Sequence, residues 1–509
     1  MSLLTYIILA PFLGALIVAL IPRDYRFVIR IVALASTLVS MVLAIVLFAK
    51  FDANATGFQF VQKIPWVKSL DLNFHVGVDG INVGLILMGA IVAFAATFVS
   101  NKIETLVKEF YLLLLVMIGG ILGAFASLDL FFFYFFHELA LVPTFIMIGV
   151  WGRGEQKNYA TFQITLYLSI GALFALVGLI ALYLNSAVLG LPATFDLVEM
   201  TRRFKAVPLV LGAQKLIFPL LLFGFGILVS LFPFHTWAPL GYGSAPAPTA
   251  MLHAGVLKKF GLYGLIRIAI PFAPDVAKAH LHLIAWLALG NILYCGWVAM
   301  RQRDFNFLLG NSSVAHMGFC FLGIASLSLV GITGTVLVMI AHGFLAALSF
   351  GLSGYLNEQA GTLEMSKLGG LMKKMPFIGV ALVMAAMAGC GLPGFANFAG
   401  ELLTLFGAWK TLSPWVVIAA WGALVVGAIY MLRAVRNILH GPLAENLPTV
   451  RDASTWRRIP FLLLIACLLL FGVAPRLLTS KIDPAAREIV AMVKGELPKS
   501  APVKRSVRK

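Results

Sequence analysis

Acidic side chains are scarce in this sequence. Asp and Glu number 21 against 38 Lys and Arg in 509 residues, and charged residues of both signs reach only 12%. With 61% hydrophobic residues, too little polar surface remains to clothe a water-soluble globule, which excludes a soluble chain and indicates a polytopic membrane protein. Cysteine is scarcer still. The 4 residues, Cys295, Cys320, Cys390 and Cys467, all fall in apolar segments with no pair at metal-ligand spacing. Neither a disulfide scaffold nor a zinc or iron–sulfur site is indicated, so any redox centre the function needs belongs to another subunit. The formal charge of +17 is spread over short loops and the C-terminal tail rather than gathered in one patch. Anionic lipid and membrane orientation account for it, and nucleic acid is not implied.

What is abundant is apolar sequence in lengths that cross a bilayer, which needs about 20 residues per helix. Candidate spans lie near 3–21, 28–49, 80–99, 110–128, 130–150, 161–184, 209–232, 246–270, 281–300, 308–329, 333–356, 376–408, 413–435 and 460–479. The fold expected is therefore an all-α polytopic membrane protein of about fourteen transmembrane helices, with 376–408 counted as one broken helix. No basic segment precedes the first span, which reads as a retained helix and not a signal peptide. Loop Lys and Arg concentrate after spans 1, 3, 5, 9, 11 and 13, which places those connections in the cytoplasm and both termini outside. The basic tail after Lys481 argues the other way, unless it is an amphipathic segment lying on the membrane or on a neighbouring subunit. The alternating runs FQFVQKI and LNFHVGV in loop 50–79 can pair as a short hairpin.

The sequence is organised around 209–267. Pro219 and Pro233 disturb one apolar run by removing backbone donors, and Lys258 and Lys259 stand well inside the next. A second interruption falls at Leu392-Pro393-Gly394. Broken helices at membrane depth need shielding by protein or a hydrated cavity, and two in corresponding positions of consecutive five-helix units suggest an internal repeat. Five is odd, so the units are inverted. The boundaries expected are 1–109 for the first three helices and an external loop, 110–270 and 281–435 for the two repeats, and 436–509 for the last helix and basic tail.

Ionisable residues inside spans are candidate functional groups by default. Glu138 sits among phenylalanines and must be protonated, paired with a cation, or on a water file. Lys258 and Lys259 are the available cations, about 100 degrees apart on a helix. Lys259 is favoured as the inward one, with Lys258 free to snorkel or meet a partner subunit. His316, with Ser312 and Ser313 on its face, and His342 one helix later can relay protons without holding a permanent charge. Each histidine alone also reads as a satisfied structural residue, and a Glu–Lys pair also reads as static packing. His235, just past Pro233, is either a relay member or a helix-end residue, and His137 is the weakest candidate. Glu401 follows the second break by two turns, with Asn397 and Thr404 on its face.

These segments together carry a family resemblance. HVGVDGIN at 75–82, FASLDLFFFYFFHELALVPTFIMIGVWG at 125–152, FPFHTWAP at 232–239, APTAMLHAGVLKKFGLYGLIR at 247–267, NSSVAHMG at 311–318, MIAHGFLAAL at 339–348, GLPGFANFAGELLTLFGA at 391–408 and GAIYMLRAVRNILHGPL at 427–443 span nearly the whole chain. The sequence resembles the antiporter-like proton channel subunits of respiratory complex I, the subunit M (mitochondrial subunit 4) branch above all. It is more distantly similar to large subunits of cation/proton antiporters and membrane-bound hydrogenases. The resemblance implies two inverted five-helix repeats in a bacterial inner membrane and proton translocation by a non-redox translocase subunit. It assigns relay positions to Glu138, Lys259, His316, His342 and Glu401. It also implies other antiporter-like and small membrane subunits as partners, and a peripheral arm that holds FMN, iron–sulfur clusters and quinone.

Departures from the family pattern are as informative. The resemblance expects a lysine where Leu228 stands and a proline at Ser230. It expects a lysine at Gln163, a basic pair at Asn306-Phe307, and an aspartate at Leu240. Three readings stay open. The subunit pumps, with Lys258, Lys259 or His235 replacing the missing lysine. It serves a variant energy-coupling, cation/proton or inorganic-carbon-uptake complex. Or it is a non-conducting spacer.

Overall fold

The computed structural model describes residues 1–444 and 448–496; the expected basic tail beyond 496 lies outside them. Helices α1 (Leu3–Leu20) and α2 (Arg26–Lys50) lead to an antiparallel hairpin of β1 (Gln59–Val67) and β2 (Leu72–Val78). The two alternating runs of loop 50–79 thus pair as the pattern predicts, with His75 opposite Lys63. There follow α3 (Val83–Val99), α4 (Val107–Ala126), α5 (Leu130–Trp151), α6 (Lys157–Asn185), the short amphipathic α7 (Leu197–Ala206) and α8 (Leu211–Val229).

A succession of short helices comes next: α9 (Trp237–Ser244), α10 (Ala247–Leu252), α11 (Lys259–Gly264) and α12 (Ile270–Phe272). The last three are joined by π-helical turns at His253–Leu257 and Leu265–Ala269. The second half holds α13 (Pro274–Gly290), α14 (Gly296–Arg301), α15 (Phe305–Ala325), α16 (Leu329–Ala360), α17 (Pro376–Gly389), α18 (Ala396–Trp409), α19 (Pro414–Leu439), α20 (Thr455–Val473) and α21 (Arg476–Lys494).

Twelve helical spans among the described residues are long and apolar enough to cross a bilayer, and the protein is an all-α polytopic membrane protein apart from the hairpin. The two remaining expected spans, 246–270 and 376–408, are the interrupted ones. Prolines set several boundaries. Ser230 turns into the left-handed region at the end of α8, before Pro233. The expected final span 460–479 ends early because Ala474-Pro475 separates α20 from α21, and proline there lacks the donor that would continue the ladder.

Aspartates start the helices that matter for the site. Asp129 accepts from the backbone N–H groups of Phe131 and Phe132, Asp196 from those of Val198 and Glu199, and Asp304 from those of Asn306 and Phe307. Each satisfies donors that a helix N-terminus otherwise leaves orphaned. The centre of the bundle is formed by α3, α15 and α16, buried along nearly their whole lengths.

The C-terminal segment through Lys494 is an amphipathic helix, α21, that packs on this chain's own surface. Lys481 donates to the Phe51 carbonyl at 3.0 Å, Thr333 donates to Asp483 at 2.7 Å, and Lys205 pairs with Glu488 at 3.0 Å. Its apolar side, with Leu478, Ile482, Ala486, Ile489 and Val493, is buried, as an amphipathic helix requires.

Candidate functional site

The site begins where the helix carrying both lysines is distorted. The Lys258 N–H bonds the His253 carbonyl, five residues back, at 3.1 Å. This widened turn adds a residue per loop of chain. Both lysines are inside, at 1% and 0% exposure, because protein surrounds this helix on nearly every side. Lys258 does not snorkel. Its Nζ donates to Ser313 Oγ on α15 at 3.1 Å and lies 5.3 Å from the centre of the Tyr242 ring.

Lys259 points to α16. Its Nζ donates to the Ala254 carbonyl at 2.6 Å and lies 2.9 Å from His342 Nδ1. The approach depends on two glycines. A Cβ on Gly255 would stand 3.1 Å from the Gly343 carbonyl oxygen, and one on Gly343 would stand 2.4 Å from Met88 Sδ and 3.0 Å from the Gly255 carbonyl oxygen. Small residues let helix backbones come together in a bilayer, and here they bring His342, beside Gly343, to the lysine.

From His342 the polar groups continue to α15 and α18. The His316 and His342 rings have centroids 5.3 Å apart. His316 Nδ1 donates to the Ser312 carbonyl at 2.7 Å, and its Nε2 is 3.5 Å from Glu401 Oε1. In a neutral imidazole one nitrogen donates and the other accepts, so the Ser312 bond leaves Nε2 as the proton acceptor facing the carboxyl. Glu401 is 2% exposed, and Asn397, one turn earlier, is fully buried with both amide atoms unpartnered. A small cavity beside them offers about 20 Å³ for water centres and is bordered by His316, Gly389, Glu401 and Tyr430. That is room for about one water. Tyr430 OH meets Ser312 Oγ at 2.9 Å.

Helix α18 is held against α16 by close contact. A Cβ on Gly334 would lie 2.6 Å from the Thr404 nitrogen, and one on Gly400 would lie 2.8 Å from the Val338 nitrogen. This fixes the height of Glu401 relative to His342.

Glu138 and His235 stand apart from this group. The Glu138 side chain is 31% exposed, and its one ion-pair approach is to its neighbour His137, at 3.5 Å. Among the described residues no ion pair joins it to Lys258 or Lys259, so of the three readings of Glu138 the one with a lysine partner is not the arrangement seen. The reason is geometric: α5 turns His137 inward and Glu138 outward, and Lys259 is already engaged with α16. His235 packs between Phe232, ring centroids 5.4 Å apart, and Tyr294, 5.5 Å apart, with none of the other candidate residues as a hydrogen-bond partner.

His253, absent from the residues singled out by sequence, lies inside an apolar run five residues before Lys258. That i to i+5 spacing to a buried lysine is the signal it carried. Among the described residues no group of three or more His, Cys, Asp or Glu is placed to hold a metal ion.

Apolar helices that enclose lysines, imidazoles and a carboxyl define a membrane protein of the antiporter-like class. Residues 127–427 match the family model described as NADH:quinone oxidoreductase/Mrp antiporter, TM. The chain is 33% identical over 463 residues to NADH-quinone oxidoreductase subunit M of Rhodobacter capsulatus, covering 90% of each. It is 34% identical over 508 residues to NAD(P)H-quinone oxidoreductase chain 4 1 of Picosynechococcus, covering 97% of this chain and 93% of the relative. A chain of respiratory complex I from Thermus thermophilus superposes with a TM-score of 0.85 at 30% identity, covering 96% of this chain and 99% of that one. A chain of the Mrp complex from Dietzia shares the fold, with a TM-score of 0.81 at 17% identity over 97% of this chain and 100% of the other. The protein therefore belongs to the NADH-quinone oxidoreductase subunit M family of antiporter-like membrane-arm subunits.

Proposed function

We propose that this subunit moves protons across the membrane along Lys259, His342, His316 and Glu401, coupled to quinone reduction in partner subunits of a complex I type assembly. The observation that carries the reading is the succession of buried groups in which Lys259 Nζ lies 2.9 Å from His342, the His342 and His316 rings lie 5.3 Å apart between centroids, and His316 lies 3.5 Å from Glu401. Removing ions from water is expensive, and apolar replacement of buried charged groups is often neutral or stabilising. A lysine, two imidazoles and a carboxyl kept together in the bundle centre are better explained by proton movement than by packing. Lys258 and Glu138 belong to the entrance side of the same path, and Glu401 to its exit.

The architecture we infer is fourteen crossings in two inverted five-helix units, 110–270 and 281–435, flanked by 1–109 and 436–509. Both termini lie outside a bacterial inner membrane. Partners would be other antiporter-like and small membrane subunits, with FMN, iron–sulfur clusters and quinone in the peripheral arm.

A second reading is favoured by one observation. Leu228 on α8 is buried and apolar and provides no proton site, which would suit an antiporter-like partner in a variant energy-coupling complex. Gentle purification of the native complex, identification of every co-purifying subunit by mass spectrometry and a donor:quinone assay distinguish the two. Flavin and iron–sulfur subunits with quinone reduction support the first; a soluble enzyme or small antiporter subunits without quinone activity support the second.

A further inference from the structure

Two buried histidines have no part in the path from Lys259 to Glu401. His137 on α5 and His253 at the start of the π-helical turn are each 2% exposed, and the Nδ1 of each lacks a hydrogen-bond partner. Buried polar groups in proteins are nearly always satisfied, and an exception calls for an explanation such as a catalytic role or water. Their surroundings point to the first. His137 Nδ1 is 3.5 Å from Glu138 Oε1, and its ring stacks on Phe260 with centroids 4.0 Å apart and planes 19 degrees apart. Phe260 is the residue next to Lys259.

His253 is built into the other side of the same region. Its carbonyl accepts the Lys258 N–H, and its ring stacks on Trp237 and meets Tyr242 edge-on, with the Tyr242 centroid 5.3 Å away. Tyr242 in turn lies under Lys258 Nζ, and its buried hydroxyl has no partner either. Helix α5, which carries His137, packs directly on the turn that His253 opens. Leu228 leaves α8 with nothing ionisable at that position.

We propose that His137 and His253 carry protons between Glu138 and Lys258, forming the entrance half of the path in place of a group on α8. The inference rests on the proton-translocating reading above. A proton leaves the Glu138 carboxyl for His137 Nδ1, giving a carboxylate and an imidazolium. The imidazolium releases its other N–H proton to the unpartnered Nδ1 of His253, and His253 gives up its Nε2 proton to the neutral Lys258 amine, which becomes an ammonium while both imidazoles return to neutral. Imidazole suits the task because it takes a proton on one nitrogen and gives one from the other. Tyr242, in contact with both the His253 ring and Lys258 Nζ, is a positioning residue.

The test uses the assembled complex in inverted membrane vesicles, with protons translocated per donor oxidised as the readout and complex abundance as the control. His253→Gln keeps size and polarity, His137→Phe keeps the stack on Phe260, and His253→Ala opens space for added imidazole. The expected result is loss of this subunit's share of the proton yield in His253→Gln and His137→Phe, with imidazole restoring it in His253→Ala. An undiminished yield in assembled His253→Gln or His137→Phe, or no response of His253→Ala to imidazole, overturns the inference. Lys259→Met measured in parallel separates the two ideas. If it loses yield while the histidine variants do not, the entrance assignment fails and the proton-translocating reading stands.

Discussion

His316 presents Nε2 to the Glu401 carboxyl at 3.5 Å while its Nδ1 is committed to the Ser312 carbonyl at 2.7 Å. The backbone bond orients the ring and fixes the tautomer, so the nitrogen free to take a proton faces the one acid buried with it. A helix carbonyl four residues back is thus part of the site.

Glu401→Gln keeps the size and hydrogen-bonding capacity of the side chain and removes its ionisation. The expected outcome is an assembled complex in normal amount with a reduced proton yield per donor oxidised. Abundance of the complex and proton yield, measured on the same membranes, check it. A fall in abundance that matches the fall in yield would instead make Glu401 a packing residue.

Gly343→Ala should damage the site without touching any titratable group. Its Cβ would meet Met88 Sδ at 2.4 Å and the Gly255 carbonyl oxygen at 3.0 Å. The sulfur can move but the carbonyl cannot, so α16 must shift. Overpacking of this kind costs about 1–3 kcal/mol, and the shift lengthens the Lys259 to His342 contact. Thermal unfolding of the purified complex and its proton yield should both fall.

Much of this was legible in the residues. The apolar runs gave the helices, alternation gave the hairpin, and an acid or base inside a span pointed to Glu138, Lys258, Lys259, His316, His342 and Glu401. What could not be read was direction. A regular helix puts Lys258 and Lys259 about 100 degrees apart, which makes one of them an outward candidate. Protein surrounds this helix on nearly every side, so both directions lead inward. In α5 too, an almost uniformly apolar helix, no polar stripe reveals that His137 is the covered residue and Glu138 the more exposed one. The docking of α21 on its own chain was hidden because amphipathicity identifies a face to be buried but not what buries it.

The hairpin is clamped by a pair that depends on pH. Asp196 is buried, which by itself raises its pKa, but hydrogen bonds from His75 at 3.0 Å and Lys63 at 2.6 Å outweigh burial and hold the carboxyl well below its usual range. A carboxylate depressed in the folded protein stabilises it above the unfolded pKa of about 3.9. That contribution is lost as pH falls through the folded value. Lys63 is 45% exposed and adds little, so His75 is the main partner. Asp196→Asn should lower stability by about 1–3 kcal/mol at neutral pH, the scale of a hydrogen bond to a charged group. The difference from the parent should shrink as pH falls below about 4. Denaturation at several pH values checks both.

Gly80 is where the C-terminal helix presses closest. A Cβ there would stand 1.8 Å from the Lys481 carbonyl oxygen, and backbone on both sides leaves no flexible group to yield. Gly80→Ala should lift α21 and break the Lys481 to Phe51 and Thr333 to Asp483 bonds. Limited proteolysis should then cut between Ala474 and Lys494 faster than in the parent, with the rest of the chain unchanged.

Lys259→Met in inverted membrane vesicles removes the amine at the middle of the path, with protons translocated per donor oxidised measured beside donor:quinone turnover and complex abundance. Methionine fills the buried volume without a charge, and such replacement is often tolerated by the fold. The expected result is a fully assembled complex that has lost this subunit's share of the proton yield. A complex with unaltered yield would contradict it, because the lysine at the centre of the path would then carry nothing.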